Sequence, residues 1–379
     1  MKRIVNDLFI IGGGVNGCGI ARDAAGRGLS VVLAEMNDLG SATSSSSTKL
    51  FHGGLRYLEF FEFRLVKEAL REREVLLKAM PHISWPMRFI LPLDESQRFD
   101  TSTPASKLLN NIFPFYKNRR PAWLIRAGLL LYDLMGGRAI LPGTSKLDLS
   151  GAVEGKPLKK KYRKAFEYSD CWVEDSRLVV LNAKDAAMLG AKIHVNTKVI
   201  SANRKNGLWR VETKNLATNE REVFLSKVLI NAGGPWVSDL LLSVLRVNSS
   251  EKVRLVRGSH IVVSKMWSHE KSYFFQGKDG RIIFAIPYET DFTLIGTTEI
   301  DHLDVNEKPK CTELEKNYLI NFANQYFDPE LKVEDIVWTY SGLRPLQDIY
   351  EDNATAVTRD YSIKVNLSLI HISEPTRPY

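Results

Sequence analysis

Cysteine is scarce in this sequence: three in 379 residues, Cys18, Cys171 and Cys311, all far apart. With no CxxC pair among them, a disulfide framework and a cysteine zinc site are both excluded, and the thiols read as inert groups in a reducing compartment. Long apolar runs are missing as well. None reaches the ~20 residues that a membrane-spanning helix needs, and the nearest, Trp123 to Leu134, is broken by Arg126 and Asp133. Any meeting with a membrane is therefore expected at its surface. Met1 to Asp7 is too short and polar to read as a signal peptide. No internal repeat and no nucleic-acid-binding motif is present, so nucleic acid is not an expected partner.

Acidic charge is in the minority, with 44 Asp and Glu against 52 Lys and Arg, a net charge of +8 and a pI near 9.2. Part of the excess is one run, Lys156, Lys159, Lys160, Lys161, Arg163 and Lys164. Such a run is ordinarily a solvated face; contact with anionic lipid head groups or collection of an anionic substrate are the sharper readings. The apolar fraction of 44% is that of a globular protein, and the length suits about two domains.

What is abundant at the start is glycine. Asp7 to Ile11 reads as a buried strand, followed by Gly12, Gly13, Gly14, Asn16 and Gly17 in a G-x-G-x-x-G pattern. An alanine-rich helix through Gly19 to Arg27 comes next, then a strand Ser30 to Ala34 ending at Glu35. This strand–turn–helix–strand unit binds the pyrophosphate of a dinucleotide. Gly12 permits the tight turn, Gly14 the close backbone approach, and Gly17 the packing of helix on strand, while the helix N-terminus offers N–H groups. Glu35 suits the two ribose hydroxyls. The motif alone does not choose between FAD and NAD.

Further motifs bear on that choice. GSATSSSSTKLFHGGLRYLE (40–59), EYSDCWVEDSRLV (167–179), NAGGPWV (231–237), RGSHIVV (257–263), IGTTE (295–299) and WTYSGLRPL (338–346) occur in this order. Together they resemble the FAD-dependent glycerol-3-phosphate dehydrogenase family, over Asp7 to about Val365. The resemblance implies an α/β glutathione-reductase/D-amino-acid-oxidase-like FAD-binding fold with an interleaved mixed-sheet substrate domain. The expected FAD-binding segments are 1–80, 166–245 and 336–366, and the expected substrate-domain segments are 81–165 and 246–335.

The same resemblance implies FAD as cofactor, held by the glycine turn with Glu35, Thr43, Ser44, Ser45, Lys49, Val199, Ala232 and Gly233. It places His52, Arg56, Tyr57, His260 and Arg344 at the substrate, oxidised by hydride transfer to flavin N5. The arginines suit the phosphate of sn-glycerol 3-phosphate because a guanidinium donates two parallel hydrogen bonds. The base stays open between His52, His260 and an arginine-assisted hydroxyl. Electrons would pass to a membrane quinone, with the enzyme in the bacterial cytoplasm, peripheral to an anionic inner-membrane surface; a homodimer is left open. Another flavin oxidoreductase of this fold, acting on an amino or 2-hydroxy acid, is the rival, as is an FAD-binding fragment without turnover.

Two stretches depart from the family pattern. Phe99 to Arg120, with Lys117, Arg119 and Arg120 beside aromatic and aliphatic groups, is longer than in relatives. It reads as a surface insertion, or alternatively as an interfacial contact. The end, NLSLIHISEPTRPY, has no family counterpart, so 367–379 is expected to be a non-native tail that leaves a sheet edge open.

Overall fold

A computed structural model of the chain describes residues 4–94, 97–99, 103–116, 119–137, 140–247, 253–347, 362–366 and 369–373. Its smaller sheet runs, edge to edge, Ser362–Asn366, Leu369–Ser373, Arg221–Asn231, Val5–Ile11, Val31–Ala34 and Lys192–His194. From Leu369–Ser373 onward the pairing is parallel. Strands Thr197–Lys205 and Leu208–Asn215 join the first half of Arg221–Asn231 in an antiparallel meander.

The sequence explains the layering. Phe9 and Ile11 face a core with Val199, Trp209 and Val211 of the meander. Ile10, between them, faces the other way, against Ala21, Ala24 and Ala25 of helix Val15–Gly26 and Ala183 and Ala186 of helix Asp175–Met188. Strands buried on both faces are apolar at every position, which is why Leu8 to Ile11 reads as an unbroken run. Alanines on both helices let them lie close over the sheet.

The larger sheet has ten strands, in the order Ile300–His302, Val253–Ser264, Phe292–Gly296, Ile282–Tyr288, Ser272–Gln276, Ser84–Pro92, Lys164–Val173 and Leu50–Phe51. Ile336–Gln347 also pairs with Val253–Ser264, and Ser145–Asp148 with Lys164–Val173. Alternation along its strands sends Tyr273 and Phe275 to a core with helix Glu313–Ala323. Phe274 points to the opposite core, with Leu70 of helix Phe63–Ala79 and Leu129 and Tyr132 of helix Ala122–Gly136.

Several expectations need correction. Arg221–Asn231 is one continuous strand, and Thr197–Lys205, too polar to stand out in the sequence, comes before it in the meander. Sheet membership divides the chain differently from the expected segments. Leu50–Phe51, Lys164–Val173 and Ile336–Gln347 all belong to the larger sheet, not to the nucleotide-type one. Local pattern marks a strand but not its partner, because pairing depends on distant residues. The expected open edge is also filled. Leu369–Ser373 pairs in parallel with Leu229–Asn231, and Leu369 is buried in the core there. Residues 367–368 and 374–379 of the expected tail, and Lys117 of the insertion, lie outside the described residues. The basic run is a solvated face: Lys159 pairs with Glu330 and Lys161 with Asp94 at the surface.

Candidate functional site

Two cavities adjoin at Val15, Thr43 and Ser44, which line both. The first lies at the carboxyl ends of the parallel strands, where the chain turns from Ile11 into the first helix. Gly12 has φ +109°, and a Cβ there would sit 2.4 Å from the Ala232 carbonyl oxygen. At Gly17 a Cβ would sit 1.9 Å from the Gly12 oxygen. The turn therefore exists only with glycine at both positions. Gly14 is the N-cap of the helix with no side-chain cap, and the Val15 N–H donates to Ser44 Oγ at 3.0 Å.

Glu35 is held by the same turn. Its Oε2 accepts from the Gly13 N–H at 2.6 Å and its Oε1 from the Asn37 N–H at 2.8 Å. A carboxylate has lone pairs beyond these two, so accepting from ribose hydroxyls remains open to it. Gly12, Gly14, Asn16, Glu35, Val199, Ala232 and Gly233 line this cavity with Thr43 and Ser44. Gly13 and Gly17 do not line it; they act through packing. A narrow, glycine-walled cradle at a helix N-terminus, continuing into a second cavity, fits an extended dinucleotide such as FAD.

The second cavity opens between the sheets. All five residues expected at the substrate line it: His52, Arg56, Tyr57, His260 and Arg344. Arg281, Thr48, Thr297 and Glu299 join them. Thr297 and Glu299 fall in the IGTTE motif, so a signal for them existed. Arg281 follows an ordinary turn before a strand, and no local pattern singles it out.

Arg344 approaches across the pairing of Ile336–Gln347 with Val253–Ser264. Its Nη2 donates to Thr297 Oγ1 at 3.2 Å and its Nη1 lies 3.5 Å from Glu299. Gly258 makes room, since a Cβ there would be 2.6 Å from Arg344 Nη2. His260 is 1% exposed, stacks on Tyr340 at 4.6 Å, and its Nε2 lies 2.9 Å from Thr48 Oγ1. Its Nδ1 is buried with no hydrogen-bond partner among the described residues. Burial, with Arg344 and Lys49 adding to it, holds this imidazole well below the ordinary histidine value, so the ring is neutral. His52 Nδ1 accepts from the Gly54 N–H at 3.1 Å, which puts the proton of the neutral ring on Nε2.

The serine-rich run is more constrained than a polar loop. Thr43 Oγ1 donates to the Leu343 carbonyl at 2.6 Å, Ser47 Oγ donates to Asp175 at 2.8 Å, and Tyr340 Oη donates to the Ser47 carbonyl at 2.8 Å. Ser45, whose hydroxyl donates to the Ala42 carbonyl, lines neither cavity. Nor does Lys49, which is paired with the buried Asp175 at 2.7 Å. Both residues shape the run from behind.

The neutral His260 has a consequence for stability. Its folded pKa is depressed, so below about pH 6.5 the unfolded chain binds a proton that the folded one refuses. Stability then falls as pH falls. Between pH 6.5 and 5.5 the wild type should lose about 1 kcal/mol more than His260→Gln, read from urea midpoints. Equal losses in the two proteins would mean that His260 titrates normally.

Comparisons with known proteins agree with this geometry. The family of FAD dependent oxidoreductases matches residues 7–366. A D-erythritol 1-phosphate dehydrogenase of Brucella abortus is 53% identical over 355 residues, covering 94% of this chain and 66% of its own length. The aerobic glycerol-3-phosphate dehydrogenase of Escherichia coli is 45% identical over 360 residues, covering 95% of this chain and 67% of its own length. Among solved structures, the glycerol-3-phosphate dehydrogenase of Bacillus halodurans complexed with FAD has a TM-score of 0.69 at 27% identity, covering 98% of this chain and 61% of that one. The chain spans about two thirds of the length of the curated relatives it matches. By its glycine cradle, its adjoining cavities and these likenesses, the chain belongs to the FAD-dependent oxidoreductases, in the glycerol-3-phosphate dehydrogenase family.

Proposed function

We propose that this protein oxidises sn-glycerol 3-phosphate to dihydroxyacetone phosphate and passes the electrons to a quinone. The observation that carries the reading is the convergence of Arg56, Arg281 and Arg344 with two histidines on a cavity that adjoins the dinucleotide cradle. Three guanidinium groups suit a phosphate dianion, and binding that remote group holds the reacting carbon in place.

FAD, when bound, supplies the hydride acceptor; the remaining chemistry belongs to side chains. Arg344 and Arg56 take the phosphate, with Arg281, just before strand Ile282–Tyr288, on the same cavity. His52 donates from Nε2 to a substrate oxygen, and Tyr57 lines the same wall. The proton of the alcohol goes to a histidine of this wall, where burial holds the His260 ring neutral and its Nε2 meets Thr48 Oγ1.

A second substrate is favoured by the 53% identity to the Brucella abortus enzyme, namely D-erythritol 1-phosphate, a longer polyol with the same phosphate. Anaerobic bleaching of the flavin separates the readings. Both phosphate esters, compared at equal concentration, identify the preferred polyol, and plain glycerol is expected to be inert. Bleaching by glycerol, or by an amino or 2-hydroxy acid in place of the esters, would overturn the assignment.

The quinone implies a peripheral position on an anionic membrane. Among the described residues no helix is long and apolar enough to cross one. Leu108, Ile112, Phe115, Trp123 and Leu134 are exposed on the insertion and the helix after it, with Lys107 and Arg126 exposed nearby. Apolar side chains beside cations suit the head-group boundary. Phe115→Glu combined with Trp123→Glu should cut co-flotation with phosphatidylserine vesicles about tenfold. Undiminished flotation would remove this face from the membrane.

A further inference from the structure

We infer that helix Ala122–Gly136, together with Arg120 just before it, clamps the substrate-side turn Gly53–Phe61 at two points, making Tyr132 and Arg120 positioning residues. The inference rests on the proposed placement of Arg56 and Tyr57 at the substrate. Both side chains ride on this turn, a 3-10 segment Leu55–Phe60 bracketed by Gly54 at φ +67° and Phe61 at φ +60°. Left-handed backbone at a phenylalanine is costly and persists only where its surroundings hold it.

The first point lies just before the turn. The Gly53 N–H donates to Tyr132 Oη at 2.7 Å, and Tyr132 Oη donates to Asp170 Oδ1 at 2.8 Å. Arg73 pairs with the same oxygen at 2.7 Å and also donates to the Ser169 carbonyl. Tyr132, Asp170 and Arg73 are all buried, so the Tyr132 hydroxyl is donor and acceptor with no water to replace it. A Cβ at Gly53 would lie 2.4 Å from Leu70 Cδ2 and 2.8 Å from Tyr132 Cε2, which fixes how closely helix and turn approach.

The second point lies at the far end. Arg120 Nη2 pairs with Glu59 Oε2 at 2.5 Å, and its guanidinium lies 3.7 Å over the Phe99 ring. Glu59 stands three residues after Arg56, so in a 3-10 turn the two side chains share a face. Arg120 therefore engages the carboxylate that would otherwise compete with an anionic ligand for Arg56. Neither Tyr132 nor Arg120 lines the cavity, so each acts through the turn.

Hydrogen–deuterium exchange on the flavin-loaded full chain tests the clamp without any substrate. In Tyr132→Phe and in Arg120→Gln, amides of 53–60 should exchange about tenfold faster, as loss of one buried hydrogen bond predicts, while strands 5–11 and 253–264 keep their protection. The KM for sn-glycerol 3-phosphate should rise about tenfold with kcat changed less than about twofold, and Arg120→Lys should recover part of it. Unchanged exchange in 53–60, or an increase spread evenly over the molecule, overturns the clamp. Should Tyr132→Phe fail to fold, Arg120→Gln decides alone. A wild type inert to every phosphate ester would end the substrate assignment, yet the exchange result would still stand or fall independently.

Discussion

Replacing Arg344 with alanine is expected to raise the KM for sn-glycerol 3-phosphate about a hundredfold while the protein keeps its full complement of FAD. The magnitude follows from the loss of charge-assisted hydrogen bonds, each contributing about 1.5–3 kcal/mol. Arg344 lines only the substrate-side cavity, so the cradle formed by Gly12 and Gly17 is untouched. The substitution also leaves Glu299 facing the cavity without the Arg344 guanidinium 3.5 Å away, adding repulsion toward a phosphate. Arg344→Lys keeps the charge but not the planar fork, and should recover only part of the affinity. Steady-state kinetics beside the flavin absorbance ratio measures both quantities. Unchanged KM in Arg344→Ala would remove this residue from the substrate, and loss of flavin would show that it supports the cradle instead.

The second large effect is expected at Gly17. In Gly17→Ala the new Cβ would meet the Gly12 carbonyl oxygen at 1.9 Å, a backbone atom that can yield only if helix Val15–Gly26 lifts from strand Val5–Ile11. Overpacking of this kind costs about 1–3 kcal/mol of stability and displaces the helix N-terminus at the glycine-walled cradle. The variant should purify colourless or nearly so. Gly19→Ala in the same helix is the matched control. A Cβ there meets nothing within 4 Å, so it should keep its flavin and gain about 0.5–1 kcal/mol from helix propensity. Equal flavin content in the two variants would show that close packing at Gly17 does not govern cofactor retention.

The amount of this that could be read from the chain varies with the range of the interactions. The first βαβ unit was legible because everything it needs is local. Apolar strand, glycine turn, alanine-rich helix and the acid after the second strand lie within Asp7–Glu35, and helix Val15–Gly26 forms where the pattern puts it. The five residues expected at the substrate were chosen by family likeness. They do meet in one cavity, although His52 and Arg344 are separated by most of the chain.

What the sequence by itself determined was the identity of the groups: which residues are glycine where a Cβ cannot fit, which are cationic, and which strands are apolar on both faces. These follow from atoms within a residue and its near neighbours. The tertiary structure alone decided their company. It put Ile336–Gln347 in the larger sheet, set Arg281 in the cavity wall, turned Lys49 to Asp175, and seated Leu369–Ser373 between Ser362–Asn366 and Arg221–Asn231 in the smaller sheet. It also withdrew His260 from water, and so decided the protonation of a ring whose unperturbed value lies close to neutrality. Burial, strand partnership and ion pairing are sums over residues remote in sequence, and no local window contains them.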